Sequence, residues 1–178
     1  INVANENSEY CTHADKNKNC YLISAGNFSE DCLYGSIVIS SKDCVDCFYC
    51  DNSELCFECT DIQHCYHCDY SQDLKNCTDC RFSYDLAACM DCFGCVGLRN
   101  KQYYFFNESL RREDYFKKIS EYDLKKKDTI SEILTRLEAL QKSVPRLFCH
   151  QLKTEHCSGD YIYGSKNCFF AFDAHNCE

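Results

Sequence analysis

The chain has 178 residues, among them 19 Cys, 13 Tyr, 12 Phe, one Met and no Trp, so sulfur and aromatic rings supply much of its apolar content. That length suits one domain or two small ones. A net charge of −9 argues against the basic face that meets nucleic-acid phosphates, and no apolar run approaches the ~20 residues that span a bilayer.

Residues 1–107 carry a repeat. Its leading cysteines are Cys20, Cys32, Cys44, Cys56, Cys65, Cys77 and Cys89, at gaps of 12, 12, 12, 9, 12 and 12 residues, all multiples of three. Second cysteines follow at Cys47, Cys59, Cys68, Cys80 and Cys92, and third ones at Cys50 and Cys95. A short fixed period marks repeated structural units, and recurring CxxC pairs bring thiols together. Aligned on their leading cysteines, the units place Ser29, Ser41, Ser53, Leu74, Leu86 and Leu98 in one column. The unit Cys56–His64 is three residues short, which reads as the loss of one whole triplet.

An ordinary strand alternates with period two, so cysteines three residues apart would face opposite ways. Both point inward only if the chain bends between them. The expected fold is therefore mainly β: a short-coil, cysteine-rich β-solenoid with sides of about three residues, interrupted by an α-helical hairpin. One coil holds one unit or two. Zinc ribbons and an irregular disulfide knot compete with this reading. A zinc ribbon wants roughly 15–20 residues between CxxC pairs, whereas Cys59 and Cys65 are separated by five.

Residues 108–146 change character. LRREDYFKKISEY predicts a helix with Ser109 as cap and a stripe of Tyr115, Phe116 and Ile119. KKKDTISEILTRLEALQKS predicts a second, capped by Asp128 or Thr129, with a stripe of Ile130, Ile133, Leu134, Leu137 and Leu140 and Pro145 beyond its end. Such a hairpin covers the open end of a solenoid or binds a partner. Residues 1–107 carry 16 acidic and 7 basic side chains; residues 108–147 carry 8 and 10, so the basic segment has an acidic neighbour to dock on. Residues 147–178 open a second repeat block, since EHCSGDYIYGSKNC echoes ENSEYCTHADKNKNC with one residue's difference in length. Both ends look cut.

The run SKDCVDCFYCDNSELCFEC, then CFGCVGLRNKQYYFFN, the helical stretch and SGDYIYGSKNC, resembles uncharacterised cysteine-repeat proteins of environmental bacteria over nearly the whole chain. The resemblance implies a repeat architecture, with a zinc-finger-like segment that would lie ahead of Ile1. It implies no activity.

Four thiolates around one ion make a structural zinc site, and CxxC presents two of them. With coils stacked about 4.8 Å apart, Cys44 and Cys47 face Cys56 and Cys59, and Cys65 and Cys68 face Cys77 and Cys80. Cys89, Cys92 and Cys95 form a third cluster without an obvious fourth ligand, unless a histidine or a neighbouring coil supplies it. These eleven cysteines are the candidate metal ligands; no catalytic constellation is indicated. Two other readings stand beside zinc: the cysteines as small core residues, above all Cys20 and Cys32, or as disulfides between coils. Cys44, Cys47 and Cys50 open like a ferredoxin motif, but the next cysteine follows after five residues and no proline comes after it, which weakens an iron–sulfur cluster. His64 and His67 flank Cys65 as candidate mixed ligands, and Asp46, Asp79 and Asp91 as a candidate carbohydrate or calcium face.

The expected function is a non-enzymatic, zinc-stabilised repeat scaffold presenting an acidic surface to a protein partner or a second copy. An iron–sulfur electron-transfer protein and a β-helix carbohydrate-binding or lyase module are its rivals. Metal-bound cysteines favour the cytoplasm, disulfides an extracellular setting.

Overall fold

The computed structural model describes residues 3–145 and 148–177, in two compact units, Ile1–Val144 and Pro145–Glu178. The chain is mainly β. In the first unit come β1 (Ser36–Ile39), β2 (Phe48–Asp51), β3 (Thr60–Gln63), β4 (Gln72–Lys75), β5 (Thr78–Arg81), β6 (Tyr84–Ala87), β7 (Met90–Phe93), β8 (Gln102–Phe105) and β9 (Glu108–Ser109), then α1 (Arg112–Ser120) and α2 (Lys127–Ser143). The second holds β10 (Gln151–Leu152), β11 (Gly159–Tyr163) and β12 (Ala171–His175). The sheets run β1-β2-β3-β4-β6, β5-β7-β8-β9 and β10-β11-β12, parallel throughout except for β8 with β9.

One triplet generates the first unit. Every third residue from Ala4 to Phe106 has positive φ, near +50°. The residue after it points inward, and each of these from Cys11 to Cys95 is buried. The remaining residue is extended and carries the ladder. A left-handed corner every three residues brings the chain back on itself after four triplets, so residue i pairs with i + 12 from Val3↔Asp15 through Ser36↔Phe48 and Leu74↔Leu86 to Phe93↔Phe105. Asn and Asp tolerate this backbone because their short polar side chains bond locally. That is why they fill so many corners, including Asn19, Asp31, Asp61, Asp85 and the sequence's suspected binding face of Asp46, Asp79 and Asp91.

The repeat is therefore one twelve-residue unit per lap, with Leu74 directly beside Leu86. The nine-residue gap is no deletion. Pairing at i + 12 continues across it, Phe57 with Asp69 and Thr60 with Gln72, and the leading cysteine moves to the neighbouring side instead. This corrects the expected Ser-to-Leu column. Leu74 and Leu86 continue Val38, Cys50 and Ile62, while Ser29, Ser41 and Ser53 lead on to Cys65.

The helices lie against an outward aromatic strip. Tyr115, Ile133 and Leu137 are buried with Phe82, Phe93, Phe105 and Phe106, and Arg136 sits 3.8 Å over the Phe106 ring. Gly94, at φ +65°, leaves room for that ring, 2.6 Å from where a Cβ would stand. The expected stripes hold in part: Phe116 and Leu134 stay exposed. The expected caps do not. Ser109 belongs to β9, Arg111 and Lys126 occupy the cap positions without side-chain bonds, and Asp128 and Thr129 lie inside the first turn of α2. No helix among the described residues is long and apolar enough to cross a membrane.

The second unit pairs with one residue less at first. Glu155 meets Lys166, eleven residues on, where Glu6 meets Lys18, twelve on. Gly159 takes up the difference: at φ +132° it lets Ala171 approach so closely that a Cβ there would fall 1.8 Å from the Ala171 carbonyl oxygen.

Candidate functional site: the inward columns

Four inward columns run through the first unit. One holds Cys20, Cys32, Cys44, Cys56, Cys68, Cys80 and Cys92; the next holds Cys11, Ile23, Gly35, Cys47, Cys59, Ser71, Ser83 and Cys95. A third passes from Asn17, Ser29, Ser41 and Ser53 to Cys65, Cys77 and Cys89, and the fourth is aliphatic apart from Gly26 and Cys50. The fifteen cysteines from Cys11 to Cys95 are buried.

The ladder explains why these columns favour Cys, Ser and Asn. In each triplet the extended residue gives its N–H to the next lap, as Glu9 does to the Cys20 carbonyl at 3.0 Å, and the corner residue gives its own to the previous lap, as Leu22 does to Glu9 at 3.1 Å. The inward residue's N–H points along the inside of the lap. Side chains one lap earlier accept it: Ser8 from Cys20 (3.1 Å), Asn17 from Ser29 (2.9 Å), Ser29 from Ser41 (3.3 Å), Ser53 from Cys65 (3.4 Å) and Ser83 from Cys95 (3.3 Å). Cysteine takes the same place, with the Cys44 amide on the Cys32 sulfur and the Cys59 amide on Cys47.

Donation is shared too. Ser41 Oγ reaches the carbonyls of Ile39 (2.9 Å) and Cys50 (3.4 Å), two residues back and nine on. Cys44 Sγ reaches those of Lys42 (3.3 Å) and Ser53 (3.6 Å), the same two offsets. A thiol is a weak donor and a weak acceptor, so it satisfies buried backbone while filling space as a small hydrophobe.

Register also brings sulfurs together. Cys44, Cys47, Cys59 and Cys56 form a ring in mutual hydrogen-bonding reach, and Cys77, Cys80, Cys92 and Cys89 form another. In the second ring hydrogen bonding with Cys65, Cys80 and Cys89 pulls Cys77 below the usual thiol range, and that with Cys80, Cys89 and Cys95 does the same for Cys92. Cys80 and Cys89 are pushed up by the hydrogen bonds to Cys77 and Cys92 and by burial.

Cys65 and Cys68 lie beside Cys77 and Cys80 in the lap arrangement expected from sequence, while Cys89 and Cys92 stack on Cys77 and Cys80 and so have sulfur neighbours that spacing did not reveal. Cys20 and Cys32, expected as small core residues, are buried and also touch. The Cys32 thiol and burial push Cys20 far up. Cys32, pulled down by Cys20, is carried to about 12 by Cys44 and burial. Among the described residues, no group of three or more His, Cys, Asp or Glu side chains is arranged to hold a metal ion.

The histidines face away from the sulfurs. His64 and His67 occupy corners; His64 pairs with Asp51 at 3.8 Å, and His67 Nδ1 lies 2.5 Å from Asp79 while Arg81 reaches its Nε2 at 2.6 Å. They do not join the cysteine rings. The residues that spacing arguments missed are the inward serines and Asn17, whose signal was their place on the same three-residue beat as cysteine. Neither the family models nor the curated proteins compared with this chain match it.

Proposed function

We propose that residues 3–105 wind as a β-solenoid of one twelve-residue unit per coil, and that the chain is a non-enzymatic scaffold presenting its acidic outer surface to a protein partner. The observation that carries this reading is the interchange of Cys and Ser in one column with the same hydrogen bonds. It makes the cysteines part of the coil's own backbone satisfaction. Stability then serves a long, regular surface, as in other repeat proteins whose units contact only their neighbours.

A second reading adds a structural zinc ion, supported by the convergence of sulfurs in register, which would have to tighten around the ion. Buried thiolates are the ligands zinc takes in closed sites, and ion binding there becomes folding free energy. One pair of variants separates the two. With hydrogen-bonding cysteines, Cys80→Ser keeps donor and acceptor and costs about 1 kcal/mol, while Cys80→Ala strands buried backbone groups and costs about 1–3 kcal/mol more. With zinc, both lose a ligand and lose the ion alike, which metal analysis of protein purified without added zinc records directly.

A further inference from the structure

One outward strip of the first unit meets two fates along its length. It is built from the corner and extended residues that flank the Cys11–Cys95 column. Near the helices it carries Phe82, Phe93, Phe105 and Phe106, buried under α1 and α2. Four to six laps before Phe82 the same corner column carries Tyr10, Leu22 and Tyr34, with Phe48 beside them, which are 71%, 45%, 52% and 48% exposed. Tyr21 bridges Tyr10 and Tyr34 edge-on, with ring centroids 5.6 and 5.7 Å apart. Contiguous exposed apolar surface of this kind marks an interaction site.

The strip also has a dent. Leu22, Tyr34, Asp46 and Phe48 line a shallow, open hollow of about 420 Å³ over the inward residues Gly35 and Cys47. At the covered end the occupant is known. There α2 presents Ile133 and Leu137 to the rings, and Arg136 and Lys118 lie over ring faces at 3.8 and 5.1 Å.

We propose that the uncovered end of this strip, at Tyr10, Leu22, Tyr34 and Phe48, docks an amphipathic α-helix of a partner protein. The helix carries a Leu/Ile stripe edged by Arg or Lys, and one aliphatic side chain enters the dent. Continuity with the helix-covered interface sets the shape. Charge sets the edge: residues 1–107 carry 16 acidic against 7 basic side chains, and Asp46 lines the dent itself. The same charge disfavours a second copy of this acidic face as the occupant. The mode is helix-in-groove recognition, with cation–π contacts at the rim. It goes beyond the scaffold reading by naming where the scaffold binds and what.

The test uses the full chain and a labelled peptide of residues 125–144, the one helix already known to fit such rings, read by fluorescence anisotropy. Tyr34→Asp and Phe48→Ser, both at half-exposed positions, are each expected to weaken binding at least about tenfold with melting temperature unchanged. A peptide with Ile133→Asp and Leu137→Asp is expected not to bind. No binding, or binding indifferent to Tyr34→Asp, overturns the proposal. So does concentration-dependent dimerisation lost in Tyr34→Asp, which puts a second copy on the strip. Failure here leaves the i + 12 register, and with it the scaffold reading, untouched.

Discussion

The two units begin from nearly the same sentence and end with different interiors. Glu6–Cys20 and Glu155–Cys168 run parallel in sequence, and each pairs its glutamate with the lysine one lap on. In the first unit the inward columns are closed from Cys11 to Cys95. In the second, the inward Cys157 and Cys168 are half-buried and Cys177 is exposed; Ile162 and Ser165 are its buried core. The triplet is thus sufficient for the backbone and insufficient for the core. An inward side chain is sealed by the laps above and below it, so burial belongs to the stack and not to the unit.

The sharpest break of that comparison is a truncation in each column. Leu86→Ala, at a position 1% exposed between Leu74 and Leu98, is expected to cost about 2–5 kcal/mol in denaturant unfolding. Cys168→Ala, at an inward position of the second unit that is only half-buried, should cost about 1 kcal/mol or less. Equal losses would mean that the two interiors are sealed alike. Next comes the inward hydrogen bond. Ser83→Ala removes the acceptor of the Cys95 amide and should cost about 1–3 kcal/mol, with Ser83→Cys largely restoring it.

Alkali sharpens the contrast from another side. Cys20 and Cys32 hold their protons more tightly folded than unfolded, Cys32 to about 12. A raised acid pKa contributes stability that is complete below the unfolded thiol value near 8.5 and fades as pH rises toward the folded one. Melting temperature should therefore fall between about pH 9 and 12, less steeply in Cys32→Ser. Over the same range Cys177 should react with a thiol reagent long before any buried cysteine. The smallest effect expected is a gain. Ile37 sits in a left-handed corner at φ +56°, where a β-branched side chain is strained, so Ile37→Asn should add about 1 kcal/mol by thermal unfolding.

Much of this was legible in the sequence. The beat of three identified the inward residues, and the clash between that beat and the two-residue period of a strand demanded corners. Lap length was not legible, because columns twelve and twenty-four residues apart look alike until backbone pairs are seen. The short unit misled for a chemical reason. Cysteine and serine do the same work inside, so a column can change from Ser53 to Cys65 while the column opposite it changes from Cys59 to Ser71, and alignment on cysteine follows the switch as though residues were missing. Helix caps failed because Arg111 and Lys126 begin their helices without side-chain bonds, leaving Ser109 free to pair in β9. Sulfur convergence followed from spacing, but the third cluster's neighbours, Cys77 and Cys80, needed the register.

The left-handed corner at every third residue has one more consequence. It frees corner side chains from the interior, and the parallel register places each of them about 4.8 Å from its equivalent on the next lap. Any residue written into one corner column becomes a row of identical groups at that pitch, as Asn19 and Asp31, bonded at 2.9 Å, begin to show. The outside of the first unit is a ruled surface on which chemistry can be edited one mark at a time while the twelve-residue lap beneath it keeps the spacing.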